Sequence, residues 1–165
     1  MPKVVGNNVI GEIRGSSNPD QYITVGGHLD SWDLAEGAHD DGAGCVQSME
    51  LIRVYKKLKI VPKNTIRIVL FADEENGGAG ADKYAELAKQ KNEKLLFALE
   101  SDDGGFVPRA FRFNLEEGKI EKFRKWIQES NKNLNVNFIQ IDLDVGFAVV
   151  HFLSLQVLFR SLNDD

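Results

Sequence analysis

The segment formed by residues 65–71 constrains the fold most, because it is almost continuously apolar and β-branched. Such a run is typical of a strand that is covered on both faces. Residues 43–58 and 81–88 each repeat apolar side chains at helical spacing, and residues 22–25 and 95–99 read as further strands. Strands that alternate with helices predict an α/β fold with a largely parallel sheet.

The remaining patterns extend this framework in both directions. Residues 8–14 alternate apolar and polar side chains, which indicates an outer strand, and residues 15–20 are a cluster of turn formers. A third helix is predicted from the spacing of Ile120, Phe123 and Ile127, and a further strand from the alternation in residues 136–143.

Composition excludes several classes of protein. A chain of 165 residues with 42% apolar and 27% charged residues is typical of a single globular domain. Its one cysteine, Cys45, rules out an intrachain disulfide. A net charge of −5 without a long basic cluster argues against nucleic acid as a partner. Residues 145–159, the longest nearly uncharged stretch, fall short of the about 20 that a membrane span needs, so we expect no membrane partner.

Acidic residues gather where the predicted strands end, and a histidine lies among them. These strand ends and the glycine-rich loop before the first helix contain His28, Asp30, Asp40, Asp41, Glu74, Glu75, Asp102 and Asp103. No Lys or Arg occurs in residues 26–44 or 70–80 to balance the charge. One histidine with several carboxylates is a ligand set for hydrolytic zinc, and a carboxylate can also bridge two ions about 3.5–4 Å apart.

Each of these residues also has a purely structural interpretation. His28 alone would be a buried histidine bonded to Asp30, and Asp41 would cap the following helix. The pair Glu74-Glu75 would be a solvated turn, and the pair Asp102-Asp103 would start a turn. Because successive strands place these groups at one edge of the sheet, the joint interpretation as a metal site is favoured.

Four ordered blocks resemble the M28 family of zinc peptidases. They are GGHLDSWD at residues 26–33, GAHDDGAG at 37–44, ADEENGG at 72–78 and ESD at 100–102, within a resemblance that covers residues 8–143. The resemblance implies a three-layer sandwich around a central, mixed and largely parallel sheet. It makes residues 1–165 a single, incomplete catalytic domain, with a divergent apolar tail over residues 144–165.

The resemblance also implies roles for individual residues. The zinc ligands would be His28, Asp40, Glu75 and Asp102, with Asp40 bridging two ions. Glu74 would act as the general base of catalysis. Asp30 would be a second catalytic carboxylate, which holds the His28 ring in one tautomer.

The implied activity is zinc-dependent hydrolysis of dipeptides or short peptides with free ends. By the same resemblance we expect a homodimer in the extracellular space or the lysosome, although the chain begins with no secretory signal pattern. The histidine that the family uses for its second zinc ion has no match, because His151 lies among apolar residues. The alternatives are a non-catalytic domain that binds at most one zinc ion, and a one-zinc aminoacyltransferase.

Overall fold

The computed structural model describes residues 4–102, 105, 110–114, 121, 125, 138–142, 148–152 and 155–159. In chain order the elements are β1 (Val9–Ile13), β2 (Asn18–His28), α1 (Gly42–Lys57), β3 (Asn64–Phe71), α2 (Ala79–Gln90), β4 (Lys94–Glu100), β5 (Ala110–Asn114), β6 (Phe138–Asp142), β7 (Ala148–Phe152) and β8 (Leu155–Phe159). The residues that predict a third helix, Ile120, Phe123 and Ile127, lie outside the described part.

The first four strands form one side of a mixed sheet in the order β1-β3-β2-β4, and β8, β7, β5 and β6 continue it beyond β4. Strand β2 runs parallel to both β3 and β4, whereas β1 is antiparallel to β3. This arrangement confirms the predicted α/β fold with a mixed sheet. It also gives β2, β3 and β4 a common carboxyl edge.

The two described helices cover opposite faces of this sheet. On one face, the hydroxyl of Ser48 in α1 donates to the carbonyl oxygen of Gly26 at 2.9 Å. On the other face, the ring of Tyr84 in α2 meets Phe71 edge-on, with 5.7 Å between the ring centroids. A Cβ atom at Gly27 would meet the backbone of α1, whereas one at the neighbouring Gly26 would meet the Phe71 ring. Because side chains alternate across a strand, the layers are α1, sheet and α2.

Strand β3 supplies most of the buried core, as its apolar run predicts. Ile66, Ile68, Val69, Leu70 and Phe71 are all buried. Arg67 of the same strand is buried too; its guanidinium lies 4.0 Å from the centre of the Tyr22 ring and pairs with two carboxylates, those of Glu12 and Glu93. A buried arginine needs such partners, because an unpaired charge there would be costly.

The turn predicted over residues 15–20 is shorter than expected, because β2 begins at Asn18. Asn18 pairs with Asn64, and the register then shifts before Tyr22. Within this irregular stretch the hydroxyl of Thr65 donates to the carbonyl oxygen of Pro19 at 2.7 Å. Residues 18–20 of the predicted turn therefore form the irregular start of a strand, where proline is tolerated.

After β4, the described residues contain one predicted strand, β6, and three that were not predicted, β5, β7 and β8. Strand β6 lies within the predicted residues 136–143. Strands β7 and β8 fall in the apolar tail and pair antiparallel with each other, and β7 contains His151. Among the described residues, no helix has both the length and the apolar character needed to span a membrane.

Candidate metal centre

The site begins with the register of the three parallel strands. His28 at the end of β2 pairs with Phe71 at the end of β3, and Gly26 pairs with Glu100 at the end of β4. The loops that follow these strands therefore leave the sheet side by side. In an open α/β sheet this edge is where ligands bind.

His28 lies at the centre of the acidic residues and is only 1% exposed. Its Nε2 atom is 2.9 Å from Asp40 Oδ1, 3.5 Å from Asp102 Oδ1 and 4.0 Å from Glu74 Oε2. The structure thus brings one imidazole nitrogen into contact with carboxylates from three separate segments. A solvated turn or an isolated core histidine would show no such convergence.

Glu75 completes a group of potential ligands. One donor atom each from His28, Asp40 and Glu75 all lie within 4.8 Å of one another. Oε1 of Glu75 is buried and, among the described residues, has no hydrogen-bond partner. A buried carboxylate oxygen without a partner is costly unless a cation or a proton satisfies it. Nitrogen and carboxylate oxygen donors are the ligands that zinc accepts, so the residues present fit this ion.

The electrostatics of His28 show the same demand for positive charge. Burial alone would lower its pKa, but hydrogen bonding to Asp102 and the negative charges of Asp41 and Asp102 raise the pKa to about 10. The surrounding carboxylates thus favour a positively charged group at this position, a role that a protonated imidazole can fill. A divalent ion among these groups would take over that role, since ligating histidines are neutral.

Asp30 contacts two parts of the site with different atoms. Its main-chain carbonyl oxygen lies 3.0 Å from His28 Nδ1, whereas its carboxylate Oδ1 is 3.8 Å from that nitrogen. The carboxylate accepts hydrogen bonds from the backbone N–H groups of Glu74 and Glu75, at 3.0 and 3.1 Å. The ring is thus oriented by the main chain of Asp30, while its side chain holds the two glutamates.

Two buried carboxyl groups beside the site have no metal role in the sequence interpretation. Asp41 is the N-cap of α1, as its structural interpretation predicts, and accepts from Gly44 N at 2.9 Å. Glu100, the first residue of the ESD block, was given no role from the sequence: it is buried, and its Oε1 lacks a partner within the described part of the chain. Burial, followed by repulsion from Asp102 and Asp41, raises the pKa of Glu100 to about 8. Its position at a strand end, two residues before Asp102, was the available signal.

Together, the mixed sheet and the cluster of one histidine and several carboxylates at its carboxyl edge define an α/β protein with a candidate metal site. Comparison with known families is more specific. The model of Peptidase family M28 matches residues 8–147, and the chain belongs to this family.

Individual relatives agree with this assignment. Carboxypeptidase Q of Homo sapiens is 44% identical over 158 residues, which cover 96% of this chain and 33% of that protein. A probable zinc metalloprotease of Pyrenophora tritici-repentis is 35% identical over 57% of this chain and 23% of its own length. The crystal structure of a Peptidase M28 precursor from Shewanella amazonensis is 28% identical, with a TM-score of 0.67, over 89% of this chain and 35% of that chain. The chain thus spans about a third of the length of the carboxypeptidase Q relatives that it matches.

Proposed function

We propose that this chain provides the zinc-binding and catalytic residues of an exopeptidase that hydrolyses dipeptides or short peptides with free ends. The observation on which this proposal rests is the convergence of His28, Asp40 and Glu75, whose donor atoms lie within 4.8 Å of one another. Asp102, 3.5 Å from His28 Nε2, supplies a fourth donor. Membership of a peptidase family supports the same reaction class.

His28, Asp40, Glu75 and Asp102 would hold zinc. Asp40 is placed to take part, because its Oδ1 lies 2.9 Å from His28 Nε2. When bound, zinc lowers the pKa of a water molecule and polarises the scissile carbonyl group.

Glu74 is the proposed general base. Its Oε2 lies 4.0 Å from His28 Nε2, at the border of the ligand group, and its backbone N–H is fixed by Asp30. Burial raises the pKa of Glu74, and repulsion from Asp102 and Glu75 adds to the rise, while His28 opposes it. A raised pKa brings a carboxylate closer to the working pH of a base. Glu74 would take a proton from the attacking water and return it to the leaving amine.

The proposed substrate class, oligomeric state and location are based on the relatives rather than on the geometry of the site. The name carboxypeptidase Q supports cleavage at a free carboxyl end. A homodimer and an extracellular or lysosomal location are carried forward as predictions from the same resemblance.

The test is to measure zinc content and dipeptide hydrolysis of the 165-residue chain, with His28→Gln and His39→Gln compared directly. His39 is the matched control, because it lies in the same region and its Nδ1 accepts a hydrogen bond from the Gly105 N–H, outside the proposed ligand set. We expect His28→Gln to lose zinc and His39→Gln to retain it. Zinc uptake without hydrolysis would instead support the non-catalytic alternative, and a chain without zinc uptake would contradict the proposal.

A further inference from the structure

Asp41 makes two buried hydrogen bonds, of which only one belongs to the helix cap. Its Oδ1 accepts from the N–H of Gly44 at 2.9 Å, in the first turn of α1. Its Oδ2 accepts from the backbone N–H of His28, also at 2.9 Å, at the end of β2. Asp41 is only 1% exposed, so water does not compete for either hydrogen bond. One carboxylate therefore fastens the start of the helix to the residue at the centre of the metal site.

Two glycines make room for this carboxylate. A Cβ atom at Gly27 would collide with Asp41 Oδ2 and with the backbone of α1. A Cβ atom at Gly44 would collide with both carboxylate oxygens and with the carbonyl oxygen of Ser101. The start of α1 thus packs directly on Ser101, the residue between the end of β4 and Asp102. A cap alone requires only the bond to Gly44, so the close contacts with β2 and β4 point to a second purpose.

We propose that Asp41 is a positioning residue, which sets the spacing between His28, Asp40 and Asp102 before zinc binds. This inference rests on the proposed function, since it concerns the geometry of its ligands. Asp41 is the direct neighbour of Asp40 in the chain and accepts a hydrogen bond from the backbone N–H of His28. It also contacts Gly44, which packs against Ser101, the residue before Asp102. A change in its side chain would therefore alter the relative positions of three ligands at once.

The most informative variant is Asp41→Ser. Serine is a good N-cap, so its hydroxyl can still accept from Gly44, but it is too short to reach the N–H of His28 as well. Asp41→Asn is the second variant, because its amide oxygen can accept from only one of the two N–H groups and its NH₂ would face the other. Ser48→Ala is the matched control: it removes a buried bond of 2.9 Å between the same helix and the same strand, without touching a ligand.

Zinc affinity is measured by competition with a chromophoric chelator, at a temperature at which circular dichroism shows each variant to be folded. We expect Asp41→Ser to weaken zinc binding by about 10–100-fold, the range typical of groups that orient metal ligands. Ser48→Ala should bind zinc within about twofold of the parent chain while losing stability through its broken buried bond. In the metal-free chain, the amide of His28 should exchange hydrogen faster in Asp41→Ser, and that of Gly44 should keep its protection.

The outcomes separate the two proposals. If the parent chain takes up no zinc, the proposed function is contradicted, and the inference falls with it. If the parent binds zinc and Asp41→Ser binds it equally well, or if Ser48→Ala is weakened as much, the positioning role of Asp41 is contradicted on its own. Should Asp41→Ser fail to fold, the same comparison is made with Asp41→Asn.

Discussion

The carboxylate of Asp30 accepts a hydrogen bond of 3.0 Å from the backbone N–H of Glu74, through its Oδ1 atom. The other oxygen of the same carboxylate accepts from the backbone N–H of Glu75 at 3.1 Å. Because Asp30 follows β2 and the glutamates follow β3, this side chain joins two loops of the site. Asp30 thus contacts only backbone groups of the two glutamates, and their carboxylates are left to face His28 and the other acidic residues.

Asp30→Asn should therefore disturb both glutamates without changing the size of the side chain. An amide can accept from one of the two N–H groups, but its NH₂ opposes the other. We expect zinc affinity to fall by about 10–100-fold. The comparison is Asp33→Asn, which changes an exposed carboxylate in the same loop and should leave the affinity unchanged. Equal affinities for the two variants would show that Asp30 has no orienting role.

Glu74 and Glu75 are adjacent carboxylates, and their substitutions should affect zinc content and turnover differently. Glu75→Gln removes a charged ligand, so zinc content measured by metal analysis should drop. Glu74→Gln leaves the ligand group intact and removes the proton acceptor, so zinc content should persist while turnover of an unblocked dipeptide falls by about 10²–10⁴-fold. The rate is followed in a catalytically competent relative if the parent chain shows no hydrolysis.

The two variants are each other's control. Loss of zinc in Glu74→Gln with retention in Glu75→Gln would mean that the two roles are reversed. If neither variant changes zinc content or turnover, the interpretation of this pair as a solvated turn would be supported instead.

The metal-free chain should lose stability as pH rises. Burial raises the pKa of Asp41 from 3.8 to about 7 and that of Glu100 from 4.5 to about 8. Burial opposes a rise for His28, but the neighbouring carboxylates raise its pKa from 6.5 to about 10. In every case the folded state binds protons that the unfolded state has released, so the free energy of unfolding falls between about pH 4 and about pH 10. Urea denaturation at pH 6 and pH 9 in the presence of a chelator measures the effect.

Two comparisons test whether the titration of these three groups causes the loss of stability. Glu100→Gln should show a smaller loss between the two pH values, because one of the three groups no longer titrates. Saturating zinc should also reduce the loss, since the ion binds the folded state and takes over the positive charge. A free energy of unfolding that is constant from pH 6 to pH 9 would contradict the prediction.

Ile68→Ala should cost about 2–5 kcal/mol in the free energy of unfolding, because it removes buried methyl groups and leaves a cavity. Ile68 is 8% exposed and lies between Gly11 of β1 and Val25 of β2 in the sheet. Chemical denaturation at fixed pH measures the change, with Ile60→Ala as the control at a position that is 45% exposed. A loss below about 1 kcal/mol for Ile68→Ala would contradict its central place in the core.

Much of this fold was predictable, because the signals are local. The apolar run of β3 and the helical spacing in α1 can be recognised without knowledge of distant contacts. The start of β2 at Asn18 could not be, since it depends on pairing with Asn64 and on the bond from Thr65 to Pro19. Turn propensity describes a short segment alone, and here the neighbouring strand overrides it.

The candidate site, too, was predictable from local signals only in part. His28 and the acidic residues could be placed at one edge, because parallel strands share their direction. The second hydrogen bond of Asp41 could not be predicted, nor could the lack of a partner for Glu100 Oε1 within the described part of the chain, as each depends on side-chain packing between segments far apart in sequence. A cap and a buried acid look the same in sequence whether or not they touch a ligand.

The parallel register of β2 with β3 and β4 also has a consequence for folding. A slip of one residue in any of these strands would turn its side chains to the opposite face and move its carboxyl end by about 3.3 Å. The donor atoms would then no longer meet. Tight zinc binding would therefore arise only after all three strands have paired correctly, and the rate of zinc uptake during refolding would report when the sheet reaches its native register.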